Sequence, residues 1–319
     1  MIELISLFKR YGNRAAVNEV SFKVESGETL VLLGTSGCGK TTTLKMINHL
    51  ISPDQGKVLI KGKEINNQNA DQWRRKIGYV MQNIGLFPHY TIEENIAVVP
   101  RLLKWDKKKT TARILELMQK LHLQESILHQ FPRELSGGQQ QRIGLARALA
   151  ADPEILLMDE PFGALDNVTR TSIQQEFKHL DELKKKTIVM VTHDVIEAFE
   201  LADRICLMDK GKIMQIGTPK ELLLNPANEF AKDFLAGQHL ALTLKQIRVE
   251  DLWLKLSNLP LHAGSEDHNL STTCSIWDAM EQFRFHEVLH FKSPSGELKS
   301  LGLQELMGAL NLYQSHNHD

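Results

Sequence analysis

Residues 29–42, TLVLLGTSGCGKTT, decide the fold of this chain. The apolar run 29–33 is typical of a buried parallel strand, and a helix is expected over about 40–50. The glycine-rich loop between them can turn its backbone N–H groups inward because no side chains block the approach. This order of strand, loop and helix predicts a phosphate-binding loop, in which Lys40 serves the β- and γ-phosphates and the Thr41 hydroxyl ligates Mg²⁺.

A pair of acidic residues follows a second apolar run. Asp159 and Glu160 come directly after residues 155–158 and before a Pro-Phe-Gly turn. A parallel strand here places both residues at the carboxyl edge of the sheet, where nucleotide chemistry sits in open α/β sheets. We expect Asp159 to hold magnesium and Glu160 to orient and deprotonate an attacking water. A lone Asp-Glu pair is usually surface charge, but its position after a buried strand favours the functional interpretation.

Three further residues are candidate site residues because of their positions in the sequence: Gln82, His193 and Tyr11. Gln82 follows the predicted strand 77–81 and is placed to touch the metal or the water. His193 follows the predicted strand 188–192 and is placed to reach the γ-phosphate. Tyr11 lies upstream of the loop, where it could stack on an adenine ring. The alternatives of a solvated glutamine, a structural histidine and a core aromatic remain open.

A second glycine-rich segment, LSGGQ at 135–139, precedes a predicted helix. The N–H groups of Gly138 and the positive end of the helix form a second anion site. Capping of the helix by Ser136 is the simpler interpretation, and both can hold. One chain cannot easily present both glycine-rich segments to the same phosphate, whereas two chains placed head to tail can. The sequence therefore predicts ATP bound between two such chains.

Composition excludes some classes of protein. The 319 residues carry a formal net charge of -1, which gives no global attraction to nucleic acid. No run approaches the roughly 18 consecutive apolar residues of a membrane span, and the N-terminus lacks the features of a leader. We therefore expect a cytoplasmic protein, with its three cysteines reduced.

The pattern of strands and helices changes along the chain. Residues 1–237 alternate buried strands and helices, which predicts an α/β domain, and a helical insertion is expected over about 91–150. Residues 238–319 are expected to form a separate module. Over about 270–310 the order strand, helix, strand, strand, helix indicates a small α+β unit.

These motifs resemble, over about residues 1–237, the ATPase subunit of ATP-binding-cassette (ABC) transporters. The resemblance implies a P-loop NTPase fold with a helical subdomain, and ATP and Mg²⁺ as ligands. It assigns catalysis to Glu160, His193, Gln82 and Lys40, and metal binding to Thr41, Gln82 and Asp159. It assigns nucleotide binding to Tyr11, Gly34, Thr35, Ser36, Gly37, Cys38, Gly39, Lys40, Thr41, Thr42, Ser136, Gly138, Gln139 and Asp166.

Residues 77–100 are similar to bacterial importer ATPases that serve quaternary amines such as glycine betaine, carnitine and choline. The resemblance implies a homodimer or a dimer with a related ATPase, permease subunits in the inner or plasma membrane, and a solute-binding protein. The tail resembles at most one cystathionine-β-synthase (CBS)-type module, over about 270–310. An importer for polar amino acids or another small solute, and a soluble ABC ATPase outside transport, remain alternatives.

Overall fold

The computed structural model describes residues 1–82, 84–163, 165–256 and 269–315. The chain divides into two compact units, residues 1–216 and 217–319. The end of the α/β domain predicted from the sequence, Gly237, lies further along the chain than this division. The division falls earlier because Leu224 packs with Leu244 and Ile247 in one apolar cluster of the second unit.

The strands of the first unit form two sheets. The strands are β1 (Ile2–Tyr11), β2 (Arg14–Val24), β3 (Thr29–Gly34), β4 (Gln55–Ile60), β5 (Lys63–Glu64), β6 (Ile77–Val80), β7 (Ile155–Asp159), β8 (Thr187–Val191), β9 (Arg204–Asp209) and β10 (Lys212–Gly217). The main sheet has the order β10-β9-β3-β8-β7-β6, and a smaller antiparallel sheet has the order β2-β1-β4-β5.

The centre of the main sheet is parallel and apolar. Strand β3 pairs in parallel with β8 and β9, and β7 pairs in parallel with β6 and β8. Leu30 and Leu32 of β3 are fully buried, and each such side chain stabilises the fold by about 1.5–3 kcal/mol. The runs predicted as buried strands are therefore confirmed, and their carboxyl ends share one edge of the sheet.

Helices of the first unit lie between the strands, and the predicted helical insertion over 91–150 holds three of the helices described. They are α1 (Lys40–Ile47), α2 (Ala70–Arg74), α3 (Ile92–Leu102), α4 (Lys107–Lys120), α5 (Gly137–Leu149), α6 (Asn167–His179) and α7 (Val195–Leu201). Helix α3 begins with a capping box between Thr91 and Glu94.

An ion-pair network ties helix α4 to the segment before β8. Arg113 and Lys120 both donate hydrogen bonds to the Glu182 carboxylate, whose side chain is only 9% exposed. Burial by itself would raise the pKa of Glu182, but the hydrogen bonds from Arg113 and Lys120 outweigh it and lower the pKa to about 2. The network therefore stabilises the fold most when Glu182 is ionised.

The second unit carries a small mixed sheet and several helices. Its elements are α8 (Pro219–Leu224), α9 (Glu229–Ala236), α10 (His239–Gln246), α11 (Val249–Leu252), β11 (Asn269–Ser271), α12 (Ile276–Gln282), β12 (Leu289–Lys292), β13 (Leu298–Leu301) and α13 (Leu303–Ser315). Strand β12 lies between β11, its parallel partner, and β13, its antiparallel partner. The predicted order of strand, helix, strand, strand and helix is confirmed.

We predict that Glu182→Gln lowers the free energy of unfolding at pH 7 by about 1–3 kcal/mol, because a hydrogen-bonded charge is lost. The folded-state pKa of Glu182 lies below its usual 4.5, so the stabilisation is complete above pH 4.5 and is lost as pH falls towards about 2. Urea unfolding across this pH range measures the difference between variant and wild type. If the difference in the free energy of unfolding between variant and wild type stayed constant as the pH is lowered, ionised Glu182 would not be the source of the stabilisation.

Candidate functional site

The loop between β3 and α1 has a backbone path that two of its residues can follow only as glycine. Gly34 and Gly39 have φ angles of 149° and 108°. A Cβ at Gly34 would lie 2.0 Å from the Met208 carbonyl oxygen, and one at Gly39 would lie 2.2 Å from that of Ala16. Helix α1 begins without a capping side chain from the described residues. Its first N–H groups are thus available to an anion.

Lys40 is folded into this loop. Its side chain is buried, and Nζ donates hydrogen bonds of 2.9 Å to the carbonyl oxygens of Gly34 and Thr35. The Thr35 hydroxyl donates to Asp209 Oδ1 over 3.0 Å, which ties the loop to the end of β9. These two carbonyl acceptors of Lys40 are neutral, so a phosphate oxygen would bind the ammonium group more strongly than they do.

Thr41 and Asp159 meet beside the loop. The Thr41 hydroxyl donates to Asp159 Oδ1 over 2.8 Å, and the Asp159 side chain is buried. Burial raises the pKa of Asp159, while the hydrogen bond from Thr41 and the nearby Lys45 lower it. A buried carboxylate beside a hydroxyl is a hard oxygen ligand set, and it fits Mg²⁺.

Two candidate residues from different strand ends converge on the carboxylate of a third, Glu160. Gln82 Nε2 donates to Glu160 Oε2 over 2.9 Å, and His193 Nδ1 lies 3.3 Å from the same oxygen. The Glu160 backbone N–H donates to the Val191 carbonyl over 3.0 Å. Glu160 has a φ of 44°, a left-handed conformation that non-glycine residues adopt at a cost. The fold thus gathers Gln82, Glu160 and His193, which are far apart in the sequence.

The second glycine-rich segment caps its own helix. Ser136 Oγ accepts from the Gln139 N–H over 3.3 Å, and Gln139 Oε1 accepts from the Ser136 N–H over 2.9 Å. The capping interpretation therefore holds in this structure. Among the described residues, no hydrogen bond joins this segment to the loop 34–42. One chain by itself does not bring its two glycine-rich segments together through such bonds.

Tyr11 and Asp166 lie at the margins of the site. The Tyr11 side chain is half exposed at the end of β1, and Lys9 Nζ lies over its ring, 5.9 Å from the centroid. Asp166 caps α6, and its Oδ1 accepts from the Thr169 N–H over 3.1 Å. This hydrogen bond lowers the pKa of Asp166.

Several hydrogen bonds of the site could not be predicted from the sequence. Arg14 Nη2 donates to the Gly37 carbonyl over 2.6 Å, and Asp209 accepts from Thr35. Arg170 donates to two carbonyls of the turn that follows Glu160. Each contact joins residues whose pairing depends on the fold, so no local pattern predicts it.

The described residues contain no helix with both the length and the apolar character that a bilayer span requires.

Comparison with known proteins identifies the family. A model of the ABC transporter family matches residues 17–163. The glycine betaine uptake system ATP-binding protein YehX of Escherichia coli is 48% identical over 309 residues, which cover 96% of this chain and 99% of that protein. The chain belongs to the ABC transporter family and is an ABC-type ATPase, so the resemblance drawn from the motifs and the expected fold class are confirmed. The likeness of the tail to a CBS-type module stays a prediction.

Other relatives are longer than this chain. The glycine betaine/carnitine/choline transport ATP-binding protein OpuCA of Bacillus subtilis is 52% identical over 254 residues, 79% of this chain and 67% of that protein. The choline transport ATP-binding protein OpuBA of the same organism is 52% identical over 241 residues, 75% of this chain. The matched region spans 63% of the length of OpuBA.

Solved structures share the fold of about two thirds of this chain. A dimeric structure of a bacterial ABC transporter cassette aligns with a TM-score of 0.62 and 36% identity, covering 68% of this chain and 98% of that chain. A dimeric post-hydrolysis state of the ATP-binding cassette bound to ADP and Pi aligns with a TM-score of 0.62 and 34% identity, with the same coverage.

We predict that Gly34→Ala weakens ATP binding at least about tenfold and lowers stability by about 1–3 kcal/mol, because its methyl group collides with a backbone carbonyl. Gly27→Ala is the matched control, since Gly27 also has a positive φ but a Cβ there meets nothing within 4 Å. Fluorescent nucleotide titration and thermal melting compare the two. Equal ATP affinities would show that the close packing of Gly34 is not needed for the site.

Proposed function

We propose that this chain is the ATP-hydrolysing subunit of a bacterial importer for a quaternary-amine osmoprotectant such as glycine betaine, carnitine or choline. The observation that carries the hydrolytic part is the convergence of Gln82 and His193 on Glu160, beside the glycine-rich loop. The names of the relatives, which are glycine betaine, carnitine and choline transport ATP-binding proteins, support the substrate class.

Glu160 is proposed as the general base. Its carboxylate lies within hydrogen-bond distance of Gln82 and His193, so both can orient it and the water that it deprotonates. Lys40 and the N–H groups of the loop hold the phosphate chain and stabilise the negative charge that develops on the transferred phosphoryl group. The reaction thus depends on positioning and electrostatics rather than on a covalent intermediate.

Thr41, Asp159 and Gln82 are proposed as the residues that hold Mg²⁺, which when bound would supply positive charge to the phosphate oxygens. The contact between the Thr41 hydroxyl and the buried Asp159 carboxylate supports this assignment. A cation would also favour the ionised form of Asp159, whose pKa burial raises.

We propose that two subunits, as a homodimer or with a related ATPase, close around the nucleotide. Ser136, Gly138 and Gln139 of one subunit would cap the phosphates held by the other. The other residues assigned to nucleotide binding from the sequence would make the remaining contacts to ATP, and they include Tyr11, Thr42 and Asp166. The dimeric structures of related cassettes support this arrangement. ATP then favours the closed dimer because its phosphates bridge two surfaces, and hydrolysis releases it.

We further propose that the chain works on the cytoplasmic face of the inner or plasma membrane with permease subunits, supplied by a solute-binding protein. In this proposal residues 1–237 serve ATP hydrolysis and residues 238–319 form an accessory module with one CBS-type unit over about 270–310. The mixed sheet of β11, β12 and β13 supports the module as a separate α+β unit.

We predict that Glu160→Gln retains ATP binding but lowers the rate of hydrolysis by about 10²–10⁴-fold, because the amide cannot accept a proton. Phosphate release and nucleotide binding are measured on the same preparations. Glu281→Gln, an exposed carboxylate on α12, serves as the matched control with unchanged turnover. Hydrolysis at the wild-type rate by Glu160→Gln would reject the general-base assignment.

The substrate class is tested by transport. Vesicles that contain this chain, its permease and its binding protein should accumulate labelled glycine betaine only when ATP is supplied on the side of this subunit. Unlabelled carnitine and choline should compete, whereas a polar amino acid should not. Uptake of the amino acid in place of the betaine would contradict the quaternary-amine assignment while leaving the ATPase assignment intact.

A further inference from the structure

Arg170 of α6 holds the turn that follows the proposed general base. Its Nε donates to the Phe162 carbonyl over 3.2 Å, and its Nη2 donates to the Leu165 carbonyl over 2.8 Å. The planar guanidinium group presents these donors in a fixed fork, so it fixes the two carbonyls relative to each other. One side chain thereby holds both Phe162 and Leu165, together with the backbone hydrogen bond from the Leu165 N–H to the Phe162 carbonyl.

The same arginine reaches the turn that carries His193. Its Nη1 lies 4.0 Å from Asp194 Oδ2. Asp194 caps α7, because its Oδ1 accepts from the Glu197 N–H over 3.1 Å, and its own N–H donates to Thr192 Oγ1 over 3.0 Å. Asp194 thus links Thr192, which precedes His193, to the first turn of α7, which follows it.

Glu197 joins helix α7 directly to helix α6. It is 4% exposed on α7, and its Oε2 accepts from Gln174 Nε2 of α6 over 3.3 Å. Its second oxygen, Oε1, is buried and finds no hydrogen-bond partner among the described residues. A buried carboxylate with only neutral donors beside it is costly when ionised, so this site favours the neutral acid.

The charged groups that act on Glu197 come from both helices. Burial raises the pKa of Glu197 to about 8, and the Asp194 carboxylate adds to the rise. The nearby Thr192 side chain, the charge of Arg170 and the Gln174 amide lower the pKa of Glu197 and so act in the opposite direction. Above pH 8 a second carboxylate would form beside Asp194, and it would compete for Arg170 with the carbonyls that Arg170 now binds.

We propose that Arg170 and Glu197 are positioning residues for ATP hydrolysis, because they hold the turn after Glu160 and the turn that carries His193 in one arrangement. This inference rests on the proposed function. Neither residue is assigned to touch the nucleotide. They act by keeping the Glu160 carboxylate and the His193 ring within the 3.3 Å that separates them.

The arginine is tested in the full-length chain with Mg²⁺ and ATP. Arg170→Ala should lower kcat by about 10–100-fold while the KM for ATP changes by less than about twofold, because the phosphate-binding loop is not disturbed. Arg204→Ala is the matched control, since Arg204 also donates to a backbone carbonyl, that of Lys23, and pairs with a carboxylate, that of Glu28, at a comparable exposure. Equal kcat values for the two variants would overturn the inference.

Glu197 gives a second test that does not depend on the folding of the arginine variants. Glu197→Gln keeps the neutral shape, so kcat at pH 7 should stay within about twofold of wild type. Wild-type kcat should fall by up to about tenfold by pH 9, since one pH unit above the pKa leaves about one tenth of the groups protonated, and Glu197→Gln should lack this decline. Identical pH profiles would overturn the inference.

The pH dependence of stability distinguishes a positioning role of Glu197 from a merely structural one. The folded-state pKa of Glu197 lies above its usual 4.5, so wild-type stability should fall as pH rises from 4.5 to about 8, and Glu197→Gln should remove this slope. A change in the melting profile without any change in the pH profile of kcat would overturn the inference. A wild-type chain without Glu160-dependent hydrolysis would instead overturn the proposed function, which keeps the two failures distinct.

Discussion

The parallel pairing of β7 with β6 and β8 is the constraint on which the site depends. Parallel strands end at the same edge, so Gln82, Glu160 and His193 arrive within hydrogen-bond distance although the chain between them is long. The neighbouring strand β3 delivers Gly34 to that edge as well. A shift of one residue in any of these registers would turn alternate side chains to the other face and separate the groups.

The site holds strained and costly groups that the surrounding fold must support. Glu160 takes a left-handed backbone conformation, and Asp159 is a buried carboxylate whose pKa is raised. Hydrogen bonds oppose these costs: the Glu160 N–H binds the Val191 carbonyl, and Thr41 donates to Asp159. Part of the stability that the apolar sheet provides is thus offset by the cost of holding reactive groups in place.

Sequence patterns predicted the main strands and helices because these elements depend on residues that are close together in the chain. The apolar runs gave β3, β7 and β8, and the glycine-rich loop fell between a strand and a helix as expected. The placement of the candidate residues at strand ends was predictable for the same reason, since a polar residue after a buried strand must lie at the edge of the sheet. The division into compact units after residue 216 had no local signal, because it depends on the packing of Leu224 against residues further along the chain.

The sequence by itself determined the glycine-rich loop between a strand and a helix, and the placement of the candidate residues at strand ends, because glycine conformation, helix polarity and strand ends are properties of short segments. Only the tertiary structure decided that Glu160 meets Gln82 and His193, and that Arg170 links two turns of the site. Those pairings are fixed by strand order and helix packing. Such features arise from the collective burial of distant apolar side chains, so no single segment encodes them.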